Sequence, residues 1–184
     1  MSDFHRLVER EIPRLRRYAR ALTRSIDRAD DLVQETLLRA IAKEHLWQTG
    51  TDLRAWLFTI MHNQYVNIVR RAMRDEAAVG IDQLSSSLVA TTDPTASRQL
   101  HELDRALACL REEQREVILL VGLEGMSYEA AAEILSLPVG TVRSRLSRAR
   151  TRLRLALGEP ESVTGDEPGD TTDVRAGRQA GPDG

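Results

Sequence analysis

Apolar residues recur at helical spacing in successive segments of the chain, from Phe4 to Leu157. The most regular segment is the last, and its apolar positions follow one another at intervals of three or four residues: Val142, Leu146, Ala149, Leu153 and Leu157. Such spacing places the side chains on one stripe of an α-helix. The whole pattern predicts an all-α protein with two small helical domains, residues 1–76 and 98–158, joined by a flexible linker, residues 77–97.

Residues 126–153 carry the signals of two short helices with a tight break between them. Ser127 is a good N-cap for the first helix, and Pro138 cannot continue it. Gly140 lies in the predicted break, where Thr141 can cap the second helix. Two short helices joined in this way predict a helix-turn-helix, and the C-terminal domain is predicted to be a four-helix module.

The second of these helices combines its apolar back with a basic front that contains no acid. Its basic residues are Arg143, Arg145, Arg148, Arg150, Arg152 and Arg154. A guanidinium group binds phosphate through two hydrogen bonds and can donate two to guanine in the major groove. Ser144 and Ser147 are short enough to let the helix approach base edges. The pattern favours DNA binding, and the alternative interpretation is an arginine-rich helix that is simply solvated.

Two helices are predicted near the N-terminus. The first covers residues 4–24, and Pro13 is expected to bend or split it. The second covers residues 27–42, with Asp27 as its expected cap and Asp30 in a position like that of a capping box. Its polar face is acidic and includes an exposed leucine: Asp30, Asp31, Gln34, Glu35 and Leu38. That face is either solvated or a docking surface for a basic helix, and periodicity alone leaves both interpretations open.

A further helix is predicted over residues 53–73, capped by Thr51 or Asp52. Seven of its apolar residues are expected to line a core: Trp56, Leu57, Ile60, Met61, Val66, Ile68 and Val69. The remaining side chains form a polar and basic face: Asn63, Gln64, Asn67, Arg70, Arg71 and Arg74. Amides and arginines contact base edges and phosphates, so this face can bind nucleic acid or can be solvated.

The acidic charge is concentrated at the C-terminal end. Residues 159–184 contain seven acids and two arginines, a net charge of −5, so the overall charge of −2 leaves +3 on residues 1–158. This tail is rich in Gly, Pro, Thr and Asp and is predicted to be disordered and removable without loss of folding. The basic charge therefore lies on particular helices, as it does in proteins that bind nucleic acid.

The remaining composition gives no positive evidence for an enzyme, a cofactor or a metal site. Cys109 is the only cysteine and is expected to be a buried structural thiol. The four histidines are scattered and lack the neighbours of a catalytic or metal-binding motif. No apolar run is long enough to span a membrane, and the N-terminus lacks the core of a signal peptide. We expect a soluble, cytoplasmic protein without membrane insertion.

Three motifs in this order resemble the bacterial sigma factors of the extracytoplasmic-function class, and the resemblance covers residues 4–157. The first, residues 30–36 (DDLVQET), is similar to the family's docking motif for core RNA polymerase. The second runs from residues 53–57 (LRAWL) to Asn67 and Arg70 and is similar to the helix that reads the −10 promoter element. The third, residues 138–145 (PVGTVRSR), is similar to the −35 recognition helix. Residues 114–116 and 125–128 also resemble the subgroup that includes general-stress sigma factors.

The resemblance implies roles and partners for these residues. Docking on the β′ coiled coil of core polymerase would use Asp30, Asp31, Gln34 and Glu35. The −35 element would be read by Thr141, Arg143, Ser144, Ser147 and Arg148. The −10 element would be read by Asn63, Asn67, Arg70 and Arg71, with Trp47 as a stacking surface for a flipped base. The β flap, promoter DNA and an anti-sigma factor are the other implied partners. Relatives often have an aromatic residue in place of Ser147, which leaves its base contact open.

Two other classes of protein compete with this interpretation. A stand-alone helix-turn-helix regulator would need a dimerisation or ligand domain, for which residues 1–96 offer no obvious pocket. A sigma-mimicking protein would bind an anti-sigma factor without starting transcription. Such mimics usually carry a receiver domain and degraded DNA-reading residues, whereas this chain has no receiver domain and retains its arginines.

Overall fold

The computed structural model describes residues 3–79 and 94–158, without the side chains of residues 75–79, 94–97 and 99. The described residues contain seven α-helices and no strand, which confirms the predicted all-α class. The N-terminal domain consists of α1 (Asp3–Thr23), α2 (Ile26–Ala42), a 3₁₀ turn (Glu44–Leu46) and α3 (Leu53–Val79). The C-terminal domain consists of α4 (Pro94–Ala108), α5 (Glu112–Ile118), a π-helical turn (Leu119–Leu123), α6 (Tyr128–Leu135) and α7 (Val139–Ala156).

The helices lie partly where the sequence predicts a linker. Since α3 continues to Val79 and α4 begins at Pro94, both ends of the predicted linker, residues 77–97, are helical. Residues 80–93 and the predicted acidic tail, residues 159–184, lie outside the described residues.

Two of the predicted helix caps are confirmed. The Ser127 hydroxyl accepts a hydrogen bond from the backbone N–H of Ala130 at 3.0 Å. Asp52 Oδ1 accepts one from the N–H of Ala55 at 3.0 Å, so Asp52 is the cap of α3. These bonds satisfy donors that the first turn of a helix leaves without a partner.

The structure corrects the predicted cap of α2 and decides one of the two alternatives predicted for Pro13. Helix α2 is capped by Ser25, not Asp27, because Arg24 ends α1 in the left-handed region and Ser25 is extended. Asp27 then falls in the first helical turn, where its carboxylate faces the positive end of the helix dipole. Helix α1 is continuous through Pro13, so the proline does not split it, and a bend at this position stays a prediction. Buried Val8 and Leu15 hold the helix against the core on both sides of the proline.

Two predictions in the C-terminal domain also need correction. Ser136 ends α6 in the left-handed region with φ 53°, and Pro138 is the N-cap of α7, so Gly140 and Thr141 already belong to the first turn of α7. Cys109 is exposed because α4 ends at Ala108, and the thiol therefore lies in a turn instead of on the buried helical face.

The buried apolar side chains of both domains form one contiguous cluster. In the N-terminal domain, Tyr18 of α1 and Phe58 of α3 meet edge to face with ring centroids 5.0 Å apart, and both are fully buried. The π-helical turn touches α1, and α6 packs against α3. The two domains are thus in direct contact within the described residues.

Candidate nucleic-acid and protein interfaces

Helix α7 presents three different environments around its axis. Val142, Leu146 and Ala149 are buried against the rest of the C-terminal domain. At 3.6 residues per turn, Ser144, Ser147 and Arg148 point away from that buried stripe, and all three are exposed. The structure therefore places three of the five predicted −35 residues on the outward front of α7.

The arginines on the flanks of α7 contact neighbouring helices. Arg145 lies 3.6 Å from Glu113 of α5, and Arg152 Nη1 donates to Gln114 Oε1 at 3.2 Å. On the opposite flank, Arg143 lies over the ring of Tyr128 of α6, 5.8 Å from the ring centroid. Such a cation–π contact restricts where an exposed guanidinium can point. Arg145 and Arg152 therefore hold α7 against α5, whereas Arg143 is positioned by α6 at the N-terminal end of α7.

The polar groups at the start of α7 are already partly oriented. Ser144 Oγ donates to the carbonyl oxygen of Thr141 at 3.0 Å, which leaves the hydroxyl oxygen free to accept a hydrogen bond. Thr141 itself is half-buried. The front of α7 therefore offers acceptors from Ser144 and Ser147 and donors from Arg148, the combination that reads base edges in a major groove.

The predicted −10 residues lie together on the outer face of α3. Asn63, Asn67, Arg70 and Arg71 are exposed at spacings of three and four residues. A shallow depression of about 540 Å³ is lined by Asn67, Arg70, Arg71, Met73 and Arg74. Gln64 is buried, so it does not belong to the polar face where the sequence places it. Ile68, predicted to line the core, is instead 46% exposed on the outer side.

A groove of about 500 Å³ between α2 and α3 brings together two predicted sites that the sequence keeps apart. The wall formed by α2 carries Asp31, Gln34, Glu35 and Arg39. The wall formed by α3 carries Gln64, Asn67, Ile68 and Arg71. Glu35 is already paired with Arg39 at 2.8 Å, whereas Asp30 and Asp31 are exposed. The predicted docking face and the predicted −10 face therefore share an edge.

The structure does not present Trp47 as a fully free stacking surface. Its ring packs against Phe4 with centroids 5.5 Å apart, and Phe4 also meets Trp56 at 6.2 Å. The Trp47 Nε1 atom is buried and has no hydrogen-bond partner. Because Phe4 covers part of the Trp47 ring, less of the ring is free to stack on a base than the sequence implied. The role of Trp47 as a stacking surface for a flipped base stays a prediction.

A set of charged groups that periodicity did not single out joins the two domains at Glu124. This carboxylate follows the π-helical turn, and its side chain is fully buried. Arg17 of α1 donates to Oε1 through Nη2 at 2.8 Å and through Nε at 3.2 Å. Arg54 of α3 lies 3.7 Å from Oε2 and donates to the backbone carbonyl of Glu124. Two helices of the N-terminal domain thus hold one buried acid of the C-terminal domain.

A second ion pair joins the corner of the N-terminal domain to α4. Arg24 contacts Asp104 through two parallel hydrogen bonds, Nε to Oδ1 at 3.0 Å and Nη2 to Oδ2 at 3.1 Å. Beside it, Arg115 donates to the carbonyl oxygen of Leu22 at 3.3 Å. Burial lowers the pKa of the Arg115 guanidinium, with the nearby charge of Arg24 acting in the same direction. Both contacts cross from one domain to the other.

A third group of contacts lies between α3 and α5. His62 Nδ1 is 2.7 Å from Glu116 Oε1, and the histidine must be the donor because a carboxylate only accepts. The Tyr65 hydroxyl donates to Glu112 Oε1 at 3.2 Å. Burial and the charge of Glu112 raise the pKa of Tyr65, so this hydroxyl keeps its proton at neutral pH. Neither pair could be predicted from a short-range sequence pattern. His62 and Glu116 are 54 positions apart in the sequence, and Tyr65 and Glu112 are 47 positions apart, so each pair meets only after folding.

The described ranges, 3–79 and 94–158, contain no cluster of three or more histidine, cysteine or acidic residues that could bind a metal ion. No helix within those ranges has the length and apolarity needed to cross a membrane.

Two family models match the chain, one in each domain. Residues 8–62 match the model described as the sigma2 domain of PhyR, and residues 100–153 match sigma-70, region 4. The first match covers most of α1, all of α2 and the first part of α3, and the second covers the helix-turn-helix.

Individual relatives extend the similarity over both domains. The chain is 44% identical over 147 residues to the ECF RNA polymerase sigma factor EcfG of Rhodopseudomonas palustris, which covers 79% of this chain and 80% of the relative. The sigma factor RpoE of Bartonella quintana, solved with the anti-sigma factor NepR, is 37% identical with a TM-score of 0.79 over 86% of this chain and 98% of that chain. CnrH, solved with the cytosolic domain of CnrY, is 30% identical with a TM-score of 0.61 over 84% and 87%. The chain therefore belongs to the extracytoplasmic-function sigma factors of RNA polymerase.

Proposed function

We propose that this sigma factor docks on core polymerase through the acidic face of α2 and reads the promoter with the outer face of α3 and the front of α7. The observation that carries the proposal is the position of the predicted residues. The front of α7 and the polar face of α3 are exposed, while the apolar residues on the opposite side of each helix are buried. Residues 1–76 would serve docking and −10 recognition, and residues 98–158 would serve −35 recognition.

The docking face has the chemistry expected for a basic helix of the β′ coiled coil. Asp30 and Asp31 are exposed and carry no competing ion pair among the described contacts. Leu38 and Ile41 are 57% and 46% exposed on the same helix and add apolar area next to the acids. A partner with both basic and apolar side chains would gain charge attraction and burial together.

The shared edge between the docking face and the −10 face gives docking a second effect. DNA phosphates that approach Asn67 and Arg71 also approach Asp31, whose carboxylate repels them. A basic partner on α2 neutralises this carboxylate and removes the repulsion. Binding of core polymerase would therefore also strengthen the contact between α3 and promoter DNA.

At the −35 element, the N-terminal part of α7 would enter the major groove, as recognition helices do. Arg148 can donate two hydrogen bonds to guanine, and Ser144 and Ser147 can accept from base amino groups. Arg143 is positioned by Tyr128 at the same end of the helix. The flank residues Arg145 and Arg152 hold α7 against α5 and would act on its orientation.

A sigma-mimicking role is the second candidate, because residues 8–62 match the sigma2 domain of PhyR. PhyR of Bartonella quintana is an anti-anti-sigma factor solved with NepR. A mimic would bind an anti-sigma factor and have no need of an exposed basic front on α7. The exposed Ser144, Ser147 and Arg148 therefore favour the sigma factor itself.

Regulation by an anti-sigma factor follows from the same similarities. RpoE was solved with the anti-sigma factor NepR, and CnrH was solved with the cytosolic domain of CnrY. The match to EcfG supports placing this chain in the subgroup of general-stress sigma factors. The chain would act with polymerase and the chromosome in the bacterial cytoplasm.

Footprinting on a cognate promoter tests the proposal. With core polymerase present, we expect protection of both the −35 and the −10 elements, and this protein alone at the same concentration should protect neither. A complex that forms with core but protects only one element would contradict the assignment of one reading helix to each domain. Failure to bind core, combined with tight binding to an anti-sigma factor, would favour the mimic.

A further inference from the structure

We infer that Tyr128 is a positioning residue for promoter selectivity, because its ring holds the Arg143 guanidinium in an orientation that reads a base without neutralising its charge. The observation that carries the inference is the contact between the two side chains. Arg143 of α7 lies over the ring of Tyr128 of α6, 5.8 Å from the ring centroid. Tyr128 thus acts on −35 recognition through Arg143 and makes no base contact of its own. The effect on DNA rests on the proposed function, but the contact is a property of the free protein.

The backbone around Tyr128 fixes the position of its ring. Two residues earlier, the N–H of Met126 donates to the carbonyl oxygen of Leu120 at 3.0 Å. Tyr128 is the first residue of α6, directly after the Ser127 cap, and its half-buried side chain packs against the buried core. A ring held in this way offers a fixed surface to Arg143.

Arg143 needs such a surface because its own side chain is flexible. The adjacent Val142 is fully buried and fixes the backbone of α7 at this point, whereas the Arg143 side chain is exposed. A free arginine loses much rotamer freedom when it binds, and a guanidinium that is already restricted has less freedom to lose. Two hydrogen bonds to guanine require the guanidinium to be aligned with the base edge, whereas a phosphate contact carries no such requirement. The restriction therefore favours base recognition over phosphate binding.

A neutral partner leaves the charge of Arg143 available to DNA. Helix α6 also carries Glu129 and Glu133, which are exposed, yet neither forms an ion pair with Arg143 within residues 3–79 and 94–158. A carboxylate in place of the ring would neutralise the guanidinium and repel the DNA phosphates. The face of an aromatic ring attracts the cation but keeps its net charge and its N–H donors. An aromatic partner therefore suits an arginine that must still bind DNA.

Substitutions in the full chain separate the ring of Tyr128 from its hydroxyl. Tyr128→Phe keeps the aromatic face and is the matched control. Tyr128→Leu removes the face but keeps an apolar side chain against the core, and Tyr128→Met is a second variant without the ring. Arg143→Ala supplies the reference state in which the contact is absent. Thermal unfolding recorded on each sample shows whether the domain is folded.

NMR of the free protein tests the contact. A guanidinium above an aromatic ring experiences the ring current, which shifts the signals of the Arg143 δ-methylene and Nε–H protons upfield. Arg143→Ala identifies these signals by their loss. We expect the upfield shift in the unsubstituted chain and in Tyr128→Phe, and we expect it to disappear in Tyr128→Leu and Tyr128→Met. Unchanged Arg143 signals in the two variants without a ring would overturn the contact.

Binding of the holoenzyme to promoters with single-base changes in the −35 element then tests selectivity. For Tyr128→Leu, we expect the preference for the cognate base at one position to fall roughly two- to fivefold, the size of an exposed cation–π contact. Tyr128→Phe should keep the preference. In the Arg143→Ala background, Tyr128→Leu should change it no further, since the two residues act through one contact. The salt dependence of binding should be the same for Tyr128→Leu as for the unsubstituted chain, because no charge is lost.

Three results would overturn the role in selectivity. An equal loss in Tyr128→Phe and Tyr128→Leu would show that the hydroxyl contacts DNA directly. A uniform loss of affinity for every −35 sequence would show that the ring only supports the fold of the domain. A further loss in the Arg143→Ala background would show that Tyr128 does not act through Arg143. If the unsubstituted holoenzyme does not select among −35 sequences, the proposed function itself fails, and the NMR measurement still decides whether Tyr128 holds Arg143.

Discussion

Arg148→Ala is expected to weaken binding of the holoenzyme to its −35 element by about 1–3 kcal/mol and to relax base preference at one position there. Arg148 is exposed on the front of α7, where its guanidinium has no partner among the described ion pairs. Loss of two hydrogen bonds to one base removes discrimination at that base. We expect Arg143→Ala to act at a neighbouring position, because Tyr128 holds this arginine at the N-terminal end of the same helix.

The control for both variants is Arg150→Ala. Arg150 is also exposed on α7 and changes the same charge, but it lies further from the N-terminal end that enters the groove. We expect it to weaken binding about equally for all −35 sequences, as loss of a phosphate contact does. The measurement is a binding competition on a library with randomised −35 positions. Unchanged base preference in Arg148→Ala and Arg143→Ala would contradict the assigned roles.

Asp31→Arg is expected to weaken binding to core polymerase by at least about 2 kcal/mol, roughly a thirtyfold higher dissociation constant, because a basic partner would meet a like charge. Asp31 is exposed in the groove between α2 and α3, so the change should leave the fold intact. The measurement is the dissociation constant for core, with helix content and thermal unfolding recorded on the same sample.

Glu9→Arg provides the matched control for the docking face. It makes the same change of charge at an exposed position on α1, away from the groove. We expect near-normal core binding from this variant. Equal affinity for Asp31→Arg and Glu9→Arg would exclude the acidic face of α2 as the docking surface.

Local patterns were sufficient to predict the helical class and the outward front of α7. Val142, Leu146 and Ala149 repeat at helical spacing, and that repeat alone fixes which side of α7 is buried. The caps at Ser127 and Asp52 were predictable because capping acts between residues three positions apart. The same argument failed at Asp27, because the left-handed turn at Arg24 moved the start of α2 to Ile26.

The contacts between domains could not be predicted in this way. Glu124 carries no local sign that Arg17, more than a hundred residues earlier, is its partner. The groove shared by Asp31 and Asn67 has the same origin, since it depends on how α2 packs on α3. Ile68 looks like a core residue by composition, yet packing leaves it exposed beside that groove. Tertiary packing decided each of these points.

Run-off transcription tests the central claim most directly. Purified core polymerase would be supplied with promoters from the same genome, with and without this protein. We predict defined transcripts that appear only when the protein is present and that share −35 and −10 sequences. If the protein binds core polymerase but no transcript depends on it, or if it does not bind core at all, the account of a promoter-directing sigma factor would be contradicted.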